Sequence, residues 1–369
     1  MSHFTVLVIG EEPELQLAPY HEFECTGEVD EYVQSVDKLE EAKEGFAQSK
    51  TTRMKSPTGE LLEVDDFQFF RNPTPDEAAR IESRDTNGMR LRREDFGDGK
   101  GMTVKVAFVP EGYEPVEVPL SQVESLAEYV ESWYGFCRVE HDQPVDLEDS
   151  HKYGWYKVDA DGNVIEAVDR TNPNKKWDWY VLGGRWTGFF KLKAGADGVL
   201  GRPGLFTKGA DAGQADAAVK GSIDFDSMRL EAETEAAADY DRIHAVLSQH
   251  EPVLAFPEIA EANPELSRDE QAAKYRDQPG LKALREASIH VWDLQRYLVD
   301  RADFIRVAGL NAGTTFAVVK DGKWYERGSM GWFGFVADEK STDAWVEEFS
   351  KLIADLPDDT LLSVYDCHI

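Results

Sequence analysis

An apolar run at each end of the chain is the feature that most constrains its fold. Residues 4–9 are almost entirely apolar and stop at Gly10, and residues 361–365 form a similar run close to the carboxyl terminus. Runs of this length fit strands that are covered on both faces. Because terminal strands are commonly ordered by joining a sheet, we expect the two runs to meet. The sequence predicts an α+β fold whose mixed or antiparallel sheet joins the N- and C-terminal strands.

Helical periodicity dominates residues 226–305. A stripe of apolar side chains follows the helical repeat from Met228 to Leu247, and a second stripe runs from Leu281 to Leu298. Between them, Ser267 and Glu270 have the spacing of a capping box. We predict a helical insertion at 226–305 within one large domain, 1–369. The alternative is two domains that divide near residue 222.

Local signals place several other elements. Thr74 with Glu77, and Ser121 with Glu124, have the spacing of capping boxes that begin helices. A final helix is indicated by apolar side chains that recur at helical spacing, namely Trp345, Phe349, Leu352, Ile353 and Leu356.

The charge of the chain excludes several partners. There are 71 acidic and 40 basic residues, which gives a net charge of −31. Such a field repels nucleic-acid phosphates and anionic lipid surfaces, so we predict no direct binding to nucleic acid or membrane. Mimicry of nucleic acid is the alternative use of this charge. It would need dense rows of carboxylates, whereas here they are mixed with Lys and Arg as on an ordinary solvated surface.

The cellular location is predicted from what the chain does not carry. No apolar run reaches the roughly 18 residues that a membrane span needs, and the opening segment is too short for a signal peptide. The cysteines Cys25, Cys137 and Cys367 form no CxxC motif and no even disulfide framework. Reduced thiols in the cytoplasm are the expectation.

An aromatic segment is the first candidate ligand site. Its Gly183-Gly184 pair allows close approach of a ligand or positive φ, and Arg185 can grip a phosphate or carboxylate through its planar fork. Aromatic rings that stack on a base would suit a nucleotide-like ligand. The alternative is a bulged strand pair whose aromatics fill the core while Arg185 pairs with an acid. The candidate residues are Trp177, Asp178, Trp179, Tyr180, Gly183, Gly184, Arg185 and Trp186.

Imidazoles, thiols and carboxylates near the two termini form the second candidate site. If the terminal strands pair antiparallel, His3 lies close to Asp366 and His368, and strand alternation turns Cys367 to the other face. Such groups can bind a transition metal such as zinc, and a Cys–His pair can form a nucleophile. The alternative is strand-end residues capped by hydrogen bonds. The candidate metal ligands are His3, His21, Cys25, Asp366 and His368.

Strings along the whole chain carry a resemblance to one family. The opening SHFTVLV, the LAPY that follows, the KWDWY and GGRW strings of the aromatic segment and the terminal DCHI resemble phage- and prophage-encoded proteins. The resemblance implies a phage accessory gene that acts in the bacterial cytoplasm, and it implies no reaction. The motifs of P-loop hydrolases, zincins, α/β-hydrolases and Rossmann oxidoreductases are absent from the sequence.

Three functions are consistent with these observations. The first is an accessory factor that binds a host protein or a small nucleotide-like ligand, in host takeover or counter-defence. The alternative is a metal- or thiol-dependent hydrolase or transferase that uses the terminal cluster, with Arg185 as anion anchor. A virion structural protein is the third, and the helical block and the lack of internal repeats disfavour it.

Overall fold

The computed structural model describes residues 2–22, 30–83, 86, 88–95, 102–205, 207, 209–291, 293–331 and 334–369. The α-helices are α1 (Pro13–Leu17), α2 (Leu39–Gln48), α3 (Pro75–Glu82), α4 (Leu126–Tyr134), α5 (Phe225–Leu247), α6 (Phe256–Ala262), α7 (Arg268–Arg276), α8 (Pro279–Glu286), α9 (Arg301–Asn311) and α10 (Thr342–Ala354). The strands are β1 (His3–Ile9), β2 (Gln34–Asp37), β3 (Lys50–Lys55), β4 (Leu61–Glu63), β5 (Phe70–Arg71), β6 (Leu91–Asp95), β7 (Met102–Ala107), β8 (Glu114–Pro119), β9 (Cys137–Val139), β10 (Gly154–Val158), β11 (Val164–Thr171), β12 (Trp179–Gly184), β13 (Phe190–Lys191), β14 (Arg202–Pro203), β15 (Gln214–Ala215), β16 (Ala217–Val219), β17 (Ala317–Lys320), β18 (Lys323–Glu326), β19 (Ser329–Met330), β20 (Val336–Ala337) and β21 (Leu361–His368).

The chain packs as two compact units. The first unit comprises residues 1–22 and 174–369, and the second comprises residues 23–173. The second unit is therefore inserted in sequence after the segment that carries β1 and α1, and the compact units do not divide at residue 222. Compact packing alone does not determine whether two units unfold together, so a single cooperative domain stays a prediction.

The main sheet of the first unit joins both chain ends. Its strand order is β14-β12-β21-β1-β17-β18, and β16 also pairs with β21. β1 runs antiparallel to β21, from His3 opposite His368 to Ile9 opposite Leu362, and parallel to β17. The predicted α+β fold with a mixed sheet that joins the N- and C-terminal strands is confirmed.

Both faces of this sheet are covered, which explains why its terminal strands read as continuous apolar runs. On one face, Leu7 and Val364 pack with Trp345 and Phe349 of α10. On the opposite face, Cys367 lies in a second cluster, whose other buried members are Phe4, Val6, Val8, Leu17, Trp177, Ala317, Val319 and Tyr365. The predicted final helix is confirmed, since Trp345 is buried and its Nε1 donates to the Thr315 carbonyl oxygen at 2.8 Å.

The predicted helical block is also confirmed, and it lies inside the first unit. It begins at Phe225 in α5 and ends at Asn311 in α9, so its limits are slightly wider than 226–305. α5 packs against α8 and α9, and its Ile243 and Leu247 form a cluster with Leu284. Within the described ranges, none of the helices combines the length and the apolar composition that crossing a membrane requires.

Two predicted helix starts occur where the sequence places them. Thr74 caps α3 by accepting from the Glu77 amide at 3.3 Å, and Ser267 caps α7 through Glu270 in the same way. The Arg71 guanidinium and the Thr74 amide both bind the Glu77 carboxylate and lower its pKa to about 2. The Glu77 carboxylate in the cap of α3 therefore stays ionised down to about pH 2.

The helix start predicted at Ser121 is wrong by four residues. The capping box that begins α4 uses Ser125, whose Oγ accepts from the Glu128 amide at 3.2 Å while its own amide donates to Glu128 Oε2 at 2.7 Å. Two Ser-x-x-Glu sequences, at 121–124 and 125–128, follow one another directly, and the second forms the capping box. The Glu124 carboxylate accepts from Arg53 at 3.2 Å, so it is not free to bind the chain at Ser121.

Removing residues 361–369 tests the joined sheet. The deletion removes β21, which pairs with β1, β12 and β16, together with buried Leu362, Val364 and Tyr365. Each such side chain is worth roughly 1.5–3 kcal/mol on burial, and a domain is stable by only about 5–15 kcal/mol. We expect the truncated protein to be insoluble or to lack a cooperative transition in thermal circular dichroism. A cooperative transition within a few degrees of the intact protein would contradict this architecture.

Candidate functional site

The pairing of the terminal strands brings three polar side chains to one face of the main sheet. His3 lies opposite His368, and Thr5 lies opposite Asp366. Because directly opposed residues share a face, His3, Asp366 and His368 point the same way while Cys367 points into the core on the other side. The predicted proximity of His3 to Asp366 and His368 is confirmed.

The aromatic segment supplies the rest of this site. β12 runs antiparallel to β21 with Trp179 opposite His368, and the Asp178 amide donates to the His368 carbonyl oxygen at 2.9 Å. The two candidate sites that the sequence suggests separately therefore form one. We call it the paired-imidazole site, and its members are His3, Asp178, Trp179, Asp366 and His368.

Each imidazole has its own carboxylate. His3 Nδ1 lies 2.8 Å from Asp366 Oδ1, and His368 Nδ1 lies 2.8 and 2.9 Å from the two oxygens of Asp178. A carboxylate only accepts, so Nδ1 carries the proton in both rings and Nε2 holds the lone pair when a ring is neutral. The centroids of the two rings are 4.8 Å apart, with an angle of 74° between the planes. The arrangement presents two oriented imidazoles in contact.

Trp179 forms the open side of the site. Its ring stacks on His368 at 5.0 Å and 15°, and meets His3 at 5.2 Å and 81°. These contacts fix the rings, since aromatic pairs favour stacked and edge-to-face geometries at such distances. Asp366 and His368 are buried, whereas Trp179 is 43% exposed and the Asp178 side chain is 39% exposed. Solvent therefore reaches the site along Trp179 and Asp178.

The turn at Gly183-Gly184 packs against Asp366 of the paired-imidazole site. Asp366 Oδ2 accepts from the Arg185 amide at 2.9 Å, so each oxygen of this carboxylate has a donor. Gly184 has φ 56°, and a Cβ placed on it would lie 2.4 Å from the Asp366 side chain. Only glycine suits this position, because it tolerates positive φ and leaves room for the carboxylate.

A second carboxylate, Asp216, accepts hydrogen bonds from the residues that follow the Gly-Gly turn. It is completely buried and accepts from Thr187 Oγ1 at 3.0 Å, the Gly188 amide at 2.6 Å and the Gly201 amide at 2.8 Å. A buried charge needs such compensation. Sequence reasoning missed Asp216, which lies among several aspartates in residues 194–222, a stretch rich in Gly, Ala and Asp. No local pattern there distinguishes one aspartate from the next.

The other residues of the aromatic segment have different surroundings. Trp177 and Tyr180 belong to the core on the opposite face, with their rings 4.8 Å apart. Arg185 is exposed at the tip of the turn, and Trp186 beside it is partly buried. The interpretation in which Arg185 is a buried partner of an acid does not describe its position. The aromatic segment therefore contributes residues to the core, to the Gly-Gly turn and to the paired-imidazole site.

Of the predicted metal ligands, His3, Asp366 and His368 lie together in the paired-imidazole site, whereas His21 has different surroundings. His21 stacks on Trp177 at 4.5 Å, and its Nε2 bonds to the Asp178 carbonyl oxygen at 2.8 Å. Cys25 lies outside the described residues. In the part of the chain that the structure covers, no three His, Cys, Asp or Glu side chains are placed to hold a metal ion.

The thiol of the terminal cluster is also separated from the imidazoles. Cys367 is fully buried on the other face, and burial raises the pKa of its thiol well above the ordinary range, with Asp366 and Asp178 acting in the same direction. A thiolate is the nucleophilic form of cysteine. Cys367 therefore packs as an apolar residue and gives no support to a Cys–His nucleophile.

Comparison with known proteins gives no relative for this chain. No family model matches it, and no curated protein or solved structure is significantly similar to it. The resemblance to phage-encoded proteins thus stays a prediction from sequence strings.

Replacing Gly184 with alanine tests the close fit of the turn. The new Cβ meets Asp366 at 2.4 Å with φ at 56°, whereas the matched control, Gly195→Ala, has φ 76° and open space around the new Cβ. The control should lose roughly 1–2 kcal/mol from the left-handed backbone alone. We expect Gly184→Ala to lose clearly more in urea denaturation, because Asp366 must also move. Equal losses in the two variants would show that the turn does not press on Asp366.

Removing the Arg185 side chain tests its exposure. Because the side chain is exposed, Arg185→Ala should change the free energy of unfolding by at most about 1 kcal/mol. The matched comparison is Arg53→Ala, since Arg53 is buried and pairs with Glu63 at 2.8 Å and Glu124 at 3.2 Å. That variant should lose more, because it removes a buried partner of two carboxylates. A larger loss for Arg185→Ala would mean that Arg185 is part of the scaffold.

Proposed function

We propose that this chain is a phage-encoded accessory protein of the bacterial cytoplasm that binds a small nucleotide-like ligand at the paired-imidazole site. The observation that carries the proposal is the exposed ring of Trp179, which is held by two oriented imidazoles next to a turn that presents Arg185. Among the described residues, exposed Cys137 and buried Cys367 are free thiols, which is consistent with a reducing compartment.

The chemistry around Trp179 matches the parts of a nucleotide. An exposed indole offers a stacking surface that accepts any base, worth roughly 1–3 kcal/mol. Arg185 is exposed, and its amide bonds to the Asp366 carboxylate that also binds His3. The proposal assigns its guanidinium to a phosphate beside the imidazoles, since a planar fork is suited to two phosphate oxygens.

The net charge favours a small ligand over a polymer. At −31, the field of the chain opposes a phosphate backbone along its whole length. A mononucleotide carries few charges and needs only one local cationic group to offset them. Binding of a host protein, in host takeover or counter-defence, is the other form of this proposal, and a pull-down from host lysate with native mass spectrometry addresses it.

Titration with adenosine monophosphate tests the ligand site directly. We expect calorimetry to show binding, with Trp179→Ala and Arg185→Ala each weaker by about tenfold or more, since one stacked base or one phosphate contact is worth over 1 kcal/mol. The matched controls are Trp133→Ala and Arg229→Ala, which remove an exposed indole and an exposed guanidinium elsewhere.

Adenosine and ribose phosphate separate the two parts of the ligand. Adenosine should retain the dependence on Trp179, and ribose phosphate should retain the dependence on Arg185. If none of the four common ribonucleoside monophosphates binds at millimolar concentration, or if the control variants weaken binding equally, the proposed ligand class is wrong.

A further inference from the structure

We propose that the paired-imidazole site cleaves a small phosphodiester, with one imidazole as general base and the other as general acid. This rests on the proposed function, because it assigns a reaction and a substrate class to the same ligand site. The catalytic residues are His3 and His368. Asp366 and Asp178 are positioning residues that act through the rings.

A carboxylate holds each imidazole ring in a fixed orientation. The carboxylate on each Nδ1 lies 2.8 Å away and leaves each Nε2 as the atom that exchanges a proton with a ligand. A fixed tautomer and a fixed ring angle are what a carboxylate supplies to a histidine that acts in proton transfer. Here that arrangement occurs twice, at His3 and at His368, on neighbouring strands.

The two imidazole rings are also in contact with each other. The ring centroids are 4.8 Å apart, so one small ligand can contact both imidazoles. One neutral ring and one protonated ring are the two forms that a base and an acid require in a single turnover.

Burial argues against a purely structural role. Asp366 and His368 are almost fully buried, with side-chain exposures of 2% and 5%, yet they lie next to the exposed Trp179. Buried ion pairs are weak contributors to stability, because desolvation offsets much of their attraction. Imidazoles that are oriented by carboxylates next to a solvent-reached surface are instead a common arrangement in sites of proton transfer.

The charge of the chain selects the diester. A phosphodiester carries one negative charge, whereas a phosphomonoester carries nearly two at neutral pH. Against a net charge of −31, the singly charged group is the easier one to bring to Arg185. The Asp366 carboxylate is offset by His3 and the Arg185 amide, and the Asp178 carboxylate is offset by His368.

The reaction uses water as the second reactant. Nε2 of the neutral ring takes a proton from water as the water oxygen forms a bond to phosphorus. The phosphorus–oxygen bond to the leaving group breaks, and Nε2 of the protonated ring gives its proton to the leaving oxygen. The products are a phosphomonoester and an alcohol, with no change in oxidation state. The two rings finish with their protonation exchanged, and exchange with solvent restores the starting state.

Cleavage of bis(para-nitrophenyl) phosphate and 2′,3′-cyclic AMP by the full-length protein tests the proposal. We expect turnover by absorbance and phosphorus NMR, with a bell-shaped dependence of rate on pH. His3→Gln and His368→Gln should each lower kcat by about 100-fold or more, the typical contribution of a general acid or base. Arg185→Ala should mainly raise KM. The matched control, His141→Gln, removes an exposed imidazole of the second unit and should leave kcat unchanged.

Asp178→Asn provides a second measurement that does not depend on a buried substitution. The Asp178 side chain is 39% exposed, so the variant should fold, and near-ultraviolet circular dichroism checks this for every variant. As a positioning residue, Asp178 should affect kcat and the shape of the pH profile more than KM. Unchanged kcat and an unchanged profile in folded Asp178→Asn would overturn the assigned roles.

The outcomes distinguish this inference from the proposed function. If adenosine monophosphate binds and neither diester is cleaved above the buffer rate, catalysis is overturned and the ligand site stands. Turnover that survives both histidine substitutions in folded protein also overturns the assignment. If the intact protein neither binds the nucleotide nor cleaves a diester, both proposals fall together.

Discussion

The antiparallel pairing of the first and last strands is the constraint on which the rest of the first unit depends. Its register places His3 opposite His368 and buries Cys367 on the other face. A shift by one residue would reverse every side chain, because successive residues of a strand point to opposite faces. The apolar runs that fill both cores hold this register, so packing along the strands also fixes the polar end of the sheet. The paired-imidazole site is thus a consequence of core packing several residues away.

Carboxylates organise the surroundings of this sheet end. Asp366 binds His3 and the Arg185 amide, and Asp216 binds Thr187 together with backbone amides of the Gly-rich turn. Both are buried, and both take several donors, which is the condition under which a charged group is tolerated in an interior. The glycines of the turn leave space for them. Rigidity of this kind would hold Arg185 and Trp179 in a constant relation to the imidazoles.

The net negative charge of the chain limits the kinds of ligand that it can bind. A charge of −31 disfavours long polyanions, and the exposed cationic group at the turn can offset only a small anion. The proposed ligand and the proposed substrate both follow from that balance. In the two proposals, Trp179 would recognise a base and the two imidazoles would transfer protons at phosphorus. These properties are combined on three adjacent strands.

The sequence by itself determined the elements whose signals are local: the terminal strands, the helical block, the last helix and the caps at Thr74 and Ser267. Strand alternation also gave the common face of Asp366 and His368. Only the tertiary structure decided that Asp178 pairs with His368, that Asp216 anchors the Gly-rich turn, that Ser125 begins α4 in place of Ser121, and that residues 23–173 form a compact unit of their own. The physical reason is separation along the chain. Asp178 and His368 are 190 residues apart, and periodicity within a strand carries no information about which distant strand becomes its neighbour.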